Sequence, residues 1–389
     1  MKKIVLAGLI SDNNLGDKVI AECTQYLYKN AIENNKDVVY DWIDIAGLTN
    51  IENSKPYLIR KIKSKLFNLN LKIGYPGIQF IVKNFENYFK PLIKDHDLVV
   101  VVGGGLIKFK YQYFWAELSG LIRAADKLNI PLVLNAIGIE GYDEFDLKCQ
   151  VLKNSLNSKC VQSITTRDDI NSLQLNYLFP ENKGLAKLVA DSAVHAAEVY
   201  NIIAHKSDLI GVGLIRGNIF KDNGLPLPKE KLIEFYSDLL SELEKRNLKY
   251  QLFTNGLESD LELVRDILNN LGQEFDSKKI LIPRTAKELV NIISGFNSII
   301  AARLHACIIS YSLQIPCVGL VWNDKILMFG NIIGKPERFI NVDELNAKKA
   351  VDQLLGAMQE GYDLDSVEKY KQTTKTSIRD ILKINNIIG

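Results

Sequence analysis

Short, continuous β-rich apolar runs alternate with longer amphipathic segments along almost the whole chain, and this rhythm limits the fold more than any other feature. Candidate strands span Lys3–Leu9, Val38–Ile45, Leu98–Val102, Leu132–Ile137 and Ser163–Thr166. After Asp191 the pattern pauses, then resumes with Leu209–Ile215, Tyr250–Phe253, Ile280–Ile282, Ser298–Ala301 and Cys317–Val321. Apolar runs without polar alternation suit strands buried on both faces, as in a parallel sheet covered by crossover helices. Candidate helices include Asp17–Asn34, Tyr113–Lys127, Lys229–Lys245, Asp260–Leu271 and Ala286–Ile293. A chain of 389 residues exceeds what one hydrophobic core usually serves. The expected fold is α/β, with two Rossmann-like domains facing each other across a cleft: residues 1–203, residues 204–342, and a helical tail over 343–389 able to pack back on the first domain.

Composition excludes some functions. A net charge of +2 lacks the basic excess of a dedicated nucleic-acid binder. The five cysteines, Cys23, Cys149, Cys160, Cys307 and Cys317, form no C-x-x-C pair, which argues against a zinc knuckle or disulfide framework and for a reducing compartment. The N-terminal apolar run stops at Ser11-Asp12-Asn13-Asn14, too soon for a membrane span, and reads as a first buried strand. A cytoplasmic protein with no metal and no cofactor is expected.

The most chemical stretch is Ser298-Ile-Ile-Ala-Ala-Arg303-Leu-His305-Ala306, an apolar strand running into a helix through a cation and an imidazole. Ligands of open α/β sheets bind beyond the carboxyl ends of strands. Arginine offers a planar fork for carboxylate or phosphate, and histidine exchanges protons near neutrality. Arg216, after Leu209–Ile215, holds the equivalent position in its own βα unit, and Lys325, after Cys317–Val321, is a third cation. Arg216, Arg303, His305 and Lys325 are the candidate anion-binding set, with His305, Arg303 and Arg216 as its catalytic members. A solvated arginine at a strand end is commonplace for either residue singly and less so for both together with His305.

In the first half, Asn14-Leu15-Gly16-Asp17 opens a helix, with Asp17 as its expected cap. Gly103-Gly104-Gly105 interrupts a buried run; either a ligand approaches this backbone closely or the chain bends tightly there. Beyond it lie Lys108, Lys110, Tyr111, Tyr113, Phe114 and Trp115, some able to stack on sugar rings and some expected in the next helix's core. Arg167-Asp168 reads as structural, and His96, His195 and His205 are weaker candidates. The segment 57–72 carries five basic residues and no acidic one, with Leu58, Ile62, Leu66 and Leu69 at helical spacing. Such a helix can lie on an anionic membrane, although more often its apolar stripe packs on its own domain.

Taken in order, these motifs resemble the polysaccharide pyruvyl transferase family. The resemblance runs through Asn14-x-Gly16-Asp17, Gly103-Gly104-Gly105, Asn135-Ala-Ile-Gly138, Thr166-Arg167-Asp168-Asp169, Ala190-Asp191, Ile215-Arg216, Ala302-Arg303-Leu304-His305-Ala306 and Lys325. Ser192 departs from it, standing where the family usually has proline. The resemblance implies a GT-B-like fold and transfer of pyruvate from phosphoenolpyruvate, a co-substrate, onto two hydroxyls of a sugar that is often lipid-linked. The donor would lie on Arg216, Arg303, His305 and Lys325. The acceptor would lie on Asn14, Gly16, Asp17, Gly103, Gly104, Gly105, Tyr111 and Trp115. Two other readings of the same architecture are a glycosyltransferase with a nucleotide-sugar donor and a non-catalytic binder of anionic glycans.

Overall fold

The computed structural model describes residues 1–10, 14–32, 38–46, 74–108, 114–205, 207–274 and 280–388. The basic segment 57–72 and Lys110, Tyr111 and Tyr113 lie outside them, as does the side chain of Lys108. The chain forms two compact units. Unit 1 comprises Met1–Ser11, Thr24–Ser192 and Gln372–Gly389; unit 2 comprises Asp12–Cys23 and Ala193–Lys371. Where boundaries near residues 203 and 342 are expected, the chain passes between units four times. The first turns of the N-terminal helix group with unit 2, and the last residues with unit 1.

Unit 1 holds β1 (Lys2–Gly8), β2 (Val38–Asp44), β3 (Leu98–Lys108), β4 (Leu132–Glu140), β5 (Val161–Thr166) and β6 (Ala186–Leu188). They pair in parallel in the order β2-β1-β3-β4-β5-β6, which places a topological switch point between β1 and β3. Its main helices are α1 (Leu15–Asn30, shared with unit 2), α2 (Tyr75–Ile93), α3 (Trp115–Leu128) and α4 (Leu147–Leu156). α2 turns Ile78, Ile81, Val82, Phe85 and Phe89 inward at three- and four-residue spacing. β4 is buried through eight consecutive residues, as a central parallel strand must be.

The triple glycine does not end its strand. β3 continues to Lys108 along β4, with a register shift between Gly104 and Ile107. A Cβ on Gly103 would sit 2.5 Å from the Ala136 carbonyl oxygen, so the close approach is that of a neighbouring strand. Gly104, at φ 143, holds a backbone conformation that side chains disfavour. Ala136 is left-handed (φ 50), and its N–H donates to Thr165 Oγ1 at 2.7 Å. Next to it, Asn135 is fully buried; its Nδ2 donates to Ser192 Oγ at 3.4 Å, and Thr24 Oγ1 donates to the same oxygen at 2.9 Å. Serine in the usual proline position thus accepts two buried hydrogen bonds that a proline ring could not.

Unit 2 holds β7 (Leu209–Gly213), β8 (Lys249–Phe253), β9 (Ile280–Leu281), β10 (Ser298–Ala301), β11 (Cys317–Leu320) and β12 (Phe339–Ile340), in the order β12-β11-β10-β7-β8-β9. Here the switch point falls between β7 and β10, which pair in parallel from Ser298↔Ile210 to Ala301↔Gly213. The covering helices are α5 (Ala196–Tyr200), α6 (Lys229–Lys245), α7 (Glu258–Asn270), α8 (Ala286–Ser294), α9 (Leu304–Ser312), α10 (Asp324–Ile332), α11 (Ala347–Glu360) and α12 (Leu364–Ile384), the last ending in unit 1. Among the described residues no helix is long and apolar enough to cross a membrane.

Candidate functional site

The β7–β10 switch point is bordered by the two arginines that the sequence singles out. Arg216 lies three residues beyond the last paired residue of β7, and Arg303 two residues beyond that of β10. Crevices of this kind, at the carboxyl ends of diverging strands, are where open α/β sheets hold ligands. Arg303 is also the N-cap of α9: its extended backbone (φ −89, ψ 119) directs its carbonyl to the N–H of Ala306 at 3.0 Å. The first N–H groups of a helix and the positive end of its dipole favour an anion, and Arg303 adds a guanidinium at that end.

Each arginine has a carboxylate partner. Arg303 is gripped by Asp260, on the first turn of α7, with Nε donating to Oδ2 at 3.1 Å and Nη2 to Oδ1 at 2.5 Å. Asp260 is fully buried, whereas 15% of the Arg303 side chain is exposed. Burial pushes the Asp260 carboxyl above the usual carboxylate range; the Arg303 guanidinium acts against that shift, as does the nearby charge of Arg216. Arg216 pairs with Asp222 in a half-exposed ion pair, at the end of the short helical turn Ile219–Asp222.

His305, on the first turn of α9, is almost fully buried. A Cβ on Gly16 would lie 2.3 Å from its Nδ1 and 2.6 Å from its Cγ, so the start of α1 rests directly on the imidazole. That start is capped by Asn14, whose Oδ1 accepts from the Gly16 N–H at 3.2 Å. The expected cap, Asp17, instead accepts from Asn14 Nδ2 at 2.9 Å, inside the first turn. Asn14, Gly16 and Asp17 therefore group with unit 2 rather than with the first domain, and Gly16 lies against His305.

Lys325 is buried on the first turn of α10, behind the Asn323 cap whose Oδ1 accepts from the Ile326 N–H at 3.3 Å. Trp322 Nε1 donates to the Ala302 carbonyl at 2.6 Å, tying the end of β11 to the residue before Arg303. Sequence reasoning missed both Asp260 and Trp322, which look like an ordinary helix-starting acid and an ordinary aromatic.

Trp115 corrects an expectation. It is 1% exposed, packed in the unit 1 core, and cannot serve as a sugar platform. Arg167 and Asp168 are structural: Arg167 pairs with Asp191, both buried, and Asp168 Oδ1 accepts from Ile139 N–H, Thr166 Oγ1 and Asp169 N–H. His195 is fully buried, with Nδ1 at 3.4 Å from Glu198 Oε2, and His96 Nε2 meets Asp41 at 2.9 Å. All five cysteines are buried and none forms a disulfide. No cluster of His, Cys, Asp or Glu among the described residues is arranged to hold a metal ion.

Similarity to known structures fixes the class first. The UDP-GlcNAc 2-epimerase of Methanocaldococcus jannaschii superposes with a TM-score of 0.59 at 14% identity, covering 98% of this chain and 100% of the other. The UDP-GlcNAc 2-epimerase of Neisseria meningitidis bound to UDP-GlcNAc gives 0.56 at 12%, covering 100% of both. Two six-stranded parallel sheets of this order and this likeness define a GT-B-like fold. No curated protein matches the sequence. The family profile described as "Polysaccharide pyruvyl transferase" matches residues 14–324. The chain belongs to the polysaccharide pyruvyl transferase family and is a transferase.

Proposed function

We propose that the protein transfers pyruvate from phosphoenolpyruvate to two hydroxyls of one sugar, forming a cyclic ketal and releasing phosphate. The observation that carries this reading is the pair of arginines bordering the β7–β10 switch point, with His305 two residues beyond the second. Phosphoenolpyruvate brings a carboxylate and a phosphate of about −1.5 to −2 charge. Two guanidinium groups and the start of α9 are complementary to that charge, and Lys325 supplies a further cation. Proton delivery to the donor methylene makes C2 electrophilic toward the first hydroxyl oxygen. The second hydroxyl oxygen then bonds to C2 as the C2–O bond to phosphate breaks, so both hydroxyl protons must be removed. His305 serves as the acid or base for one of these transfers, an imidazole of ordinary pKa about 6.5 being suited to either. No cofactor or metal enters this scheme. The acceptor belongs to a polysaccharide or its lipid-linked precursor, handled in the cytoplasm or at the inner membrane face.

Incubation with phosphoenolpyruvate and a panel of free and lipid-linked glycosides should release phosphate and give an acid-labile pyruvylated product. Thermal shifts with phosphoenolpyruvate, UDP-sugars and GDP-sugars separate this reading from a nucleotide-sugar glycosyltransferase, since a ligand held only by the native state raises Tm. Stabilisation by a nucleotide sugar and not by phosphoenolpyruvate would refute the donor assignment. Affinity for an anionic glycan without any turnover, even with His305 intact, would favour a glycan-binding protein.

A further inference from the structure

We propose that Asp260 is a positioning residue of the donor site, fixing Arg303 through one edge of its guanidinium and presenting the other edge to the anion. This rests on the donor reading above. A guanidinium carries five N–H donors in a planar fork with two bidentate edges. Asp260 occupies the Nε/Nη2 edge at 3.1 and 2.5 Å, which leaves the Nη1/Nη2 edge without a partner among the described residues. The carboxylate is fully buried and the guanidinium partly exposed, so the inner edge is anchored and the outer edge reaches solvent.

A preformed bidentate contact loses little side-chain freedom on binding, so a guanidinium already anchored along its inner edge favours an anion on its outer one. Asp260 touches neither substrate nor reacting atoms; it acts through Arg303.

The test is titration calorimetry of phosphoenolpyruvate into the full-length protein, with inorganic phosphate and pyruvate as separate arms. Wild type is compared with Asp260→Asn, Arg303→Ala and the double variant. Asp260→Asn should raise the Kd for phosphoenolpyruvate by about ten- to a hundredfold, the range for losing a hydrogen bond to a charged group. In the Arg303→Ala background the same change should add less than about twofold, because partners acting as one unit are not additive. If Asp260→Asn fails to fold, Asp260→Glu keeps the charge and moves the carboxylate by one methylene; it should weaken binding several-fold while melting close to wild type. A wild-type Kd in Asp260→Asn or Asp260→Glu, or losses that multiply in the double variant, overturns the proposal. A wild type that binds no phosphoenolpyruvate overturns the donor reading and this inference with it, an outcome distinct from tight binding that ignores Asp260.

Discussion

At the switch point of unit 2, β7 and β10 are followed by two arginines, each paired with its own carboxylate, Arg216 with Asp222 and Arg303 with the buried Asp260. At that of unit 1, β1 and β3 lead into close-packed backbone, where Gly103 faces the Ala136 carbonyl and buried hydroxyls meet at Ser192. One sheet architecture therefore carries two kinds of feature. The proposed donor site rests on charge placed beyond the strands and held by a partner from a neighbouring helix. Glycine placed within a strand lets backbones approach each other. A glycine run inside a strand and an arginine just past one thus carry different information.

The sharpest break of this contrast is Arg303→Ala. It leaves Asp260 buried without its cation, and separating such a pair costs about 3–5 kcal/mol of stability. Thermal melting should show that loss together with loss of donor-induced stabilisation. Trp115→Ala should cost a similar 3–5 kcal/mol for an emptied aromatic site. Its remaining folded fraction should bind phosphoenolpyruvate with unchanged affinity, and weakened affinity would contradict its assignment to the core.

The two glycines sharpen the comparison. Gly16→Ala must displace the His305 ring, and a misplacement of about 1 Å can lower turnover about a hundredfold with donor affinity little changed. Gly103→Ala pushes against the Ala136 carbonyl and should cost roughly 1–3 kcal/mol of stability. If Gly103→Ala kept wild-type stability but lost turnover, the strand-packing account of the triple glycine would fail.

The smallest effect concerns Glu360. Hydrogen bonds from Lys335 and Arg338 hold its carboxyl down to about 2. Its folded pKa is depressed, so its contribution is present above the ordinary carboxylate range and is lost as pH falls toward about 2. Because Glu360 is half exposed, Glu360→Gln should cost at most about 1 kcal/mol at neutral pH. The difference from wild type should vanish in acid, as read by chemical denaturation across pH.

The parallel sheets were legible because buried strands are written as uninterrupted runs such as Val99–Val102 and Ile299–Ala301. Strands of two or three residues, β6, β9 and β12, carry little local pattern: β9 was marked by Ile280–Ile282, and β6 and β12 were not found. Arg216 and Arg303 stood out because each directly follows an apolar run, and strand ends have fixed topology. Asp260 was illegible for the opposite reason. Its meaning comes from Arg303, 43 positions away, and an acid on a helix's first turn has a sufficient local explanation in the helix dipole. Trp115 misled because an aromatic residue opening a helix looks the same whether tertiary packing turns it in or out.

The allegiance of Asp12–Cys23 has a practical consequence for anyone dissecting the protein. A recombinant piece cut at the seemingly natural break near residue 203 would carry the imidazole but not the turn of α1 that bears on it. Swapping second halves between relatives would pair each histidine with a foreign N-terminal segment. Chimeras should therefore exchange Asn14–Cys23 together with Ala193–Lys371, as one inheritance split in two along the gene.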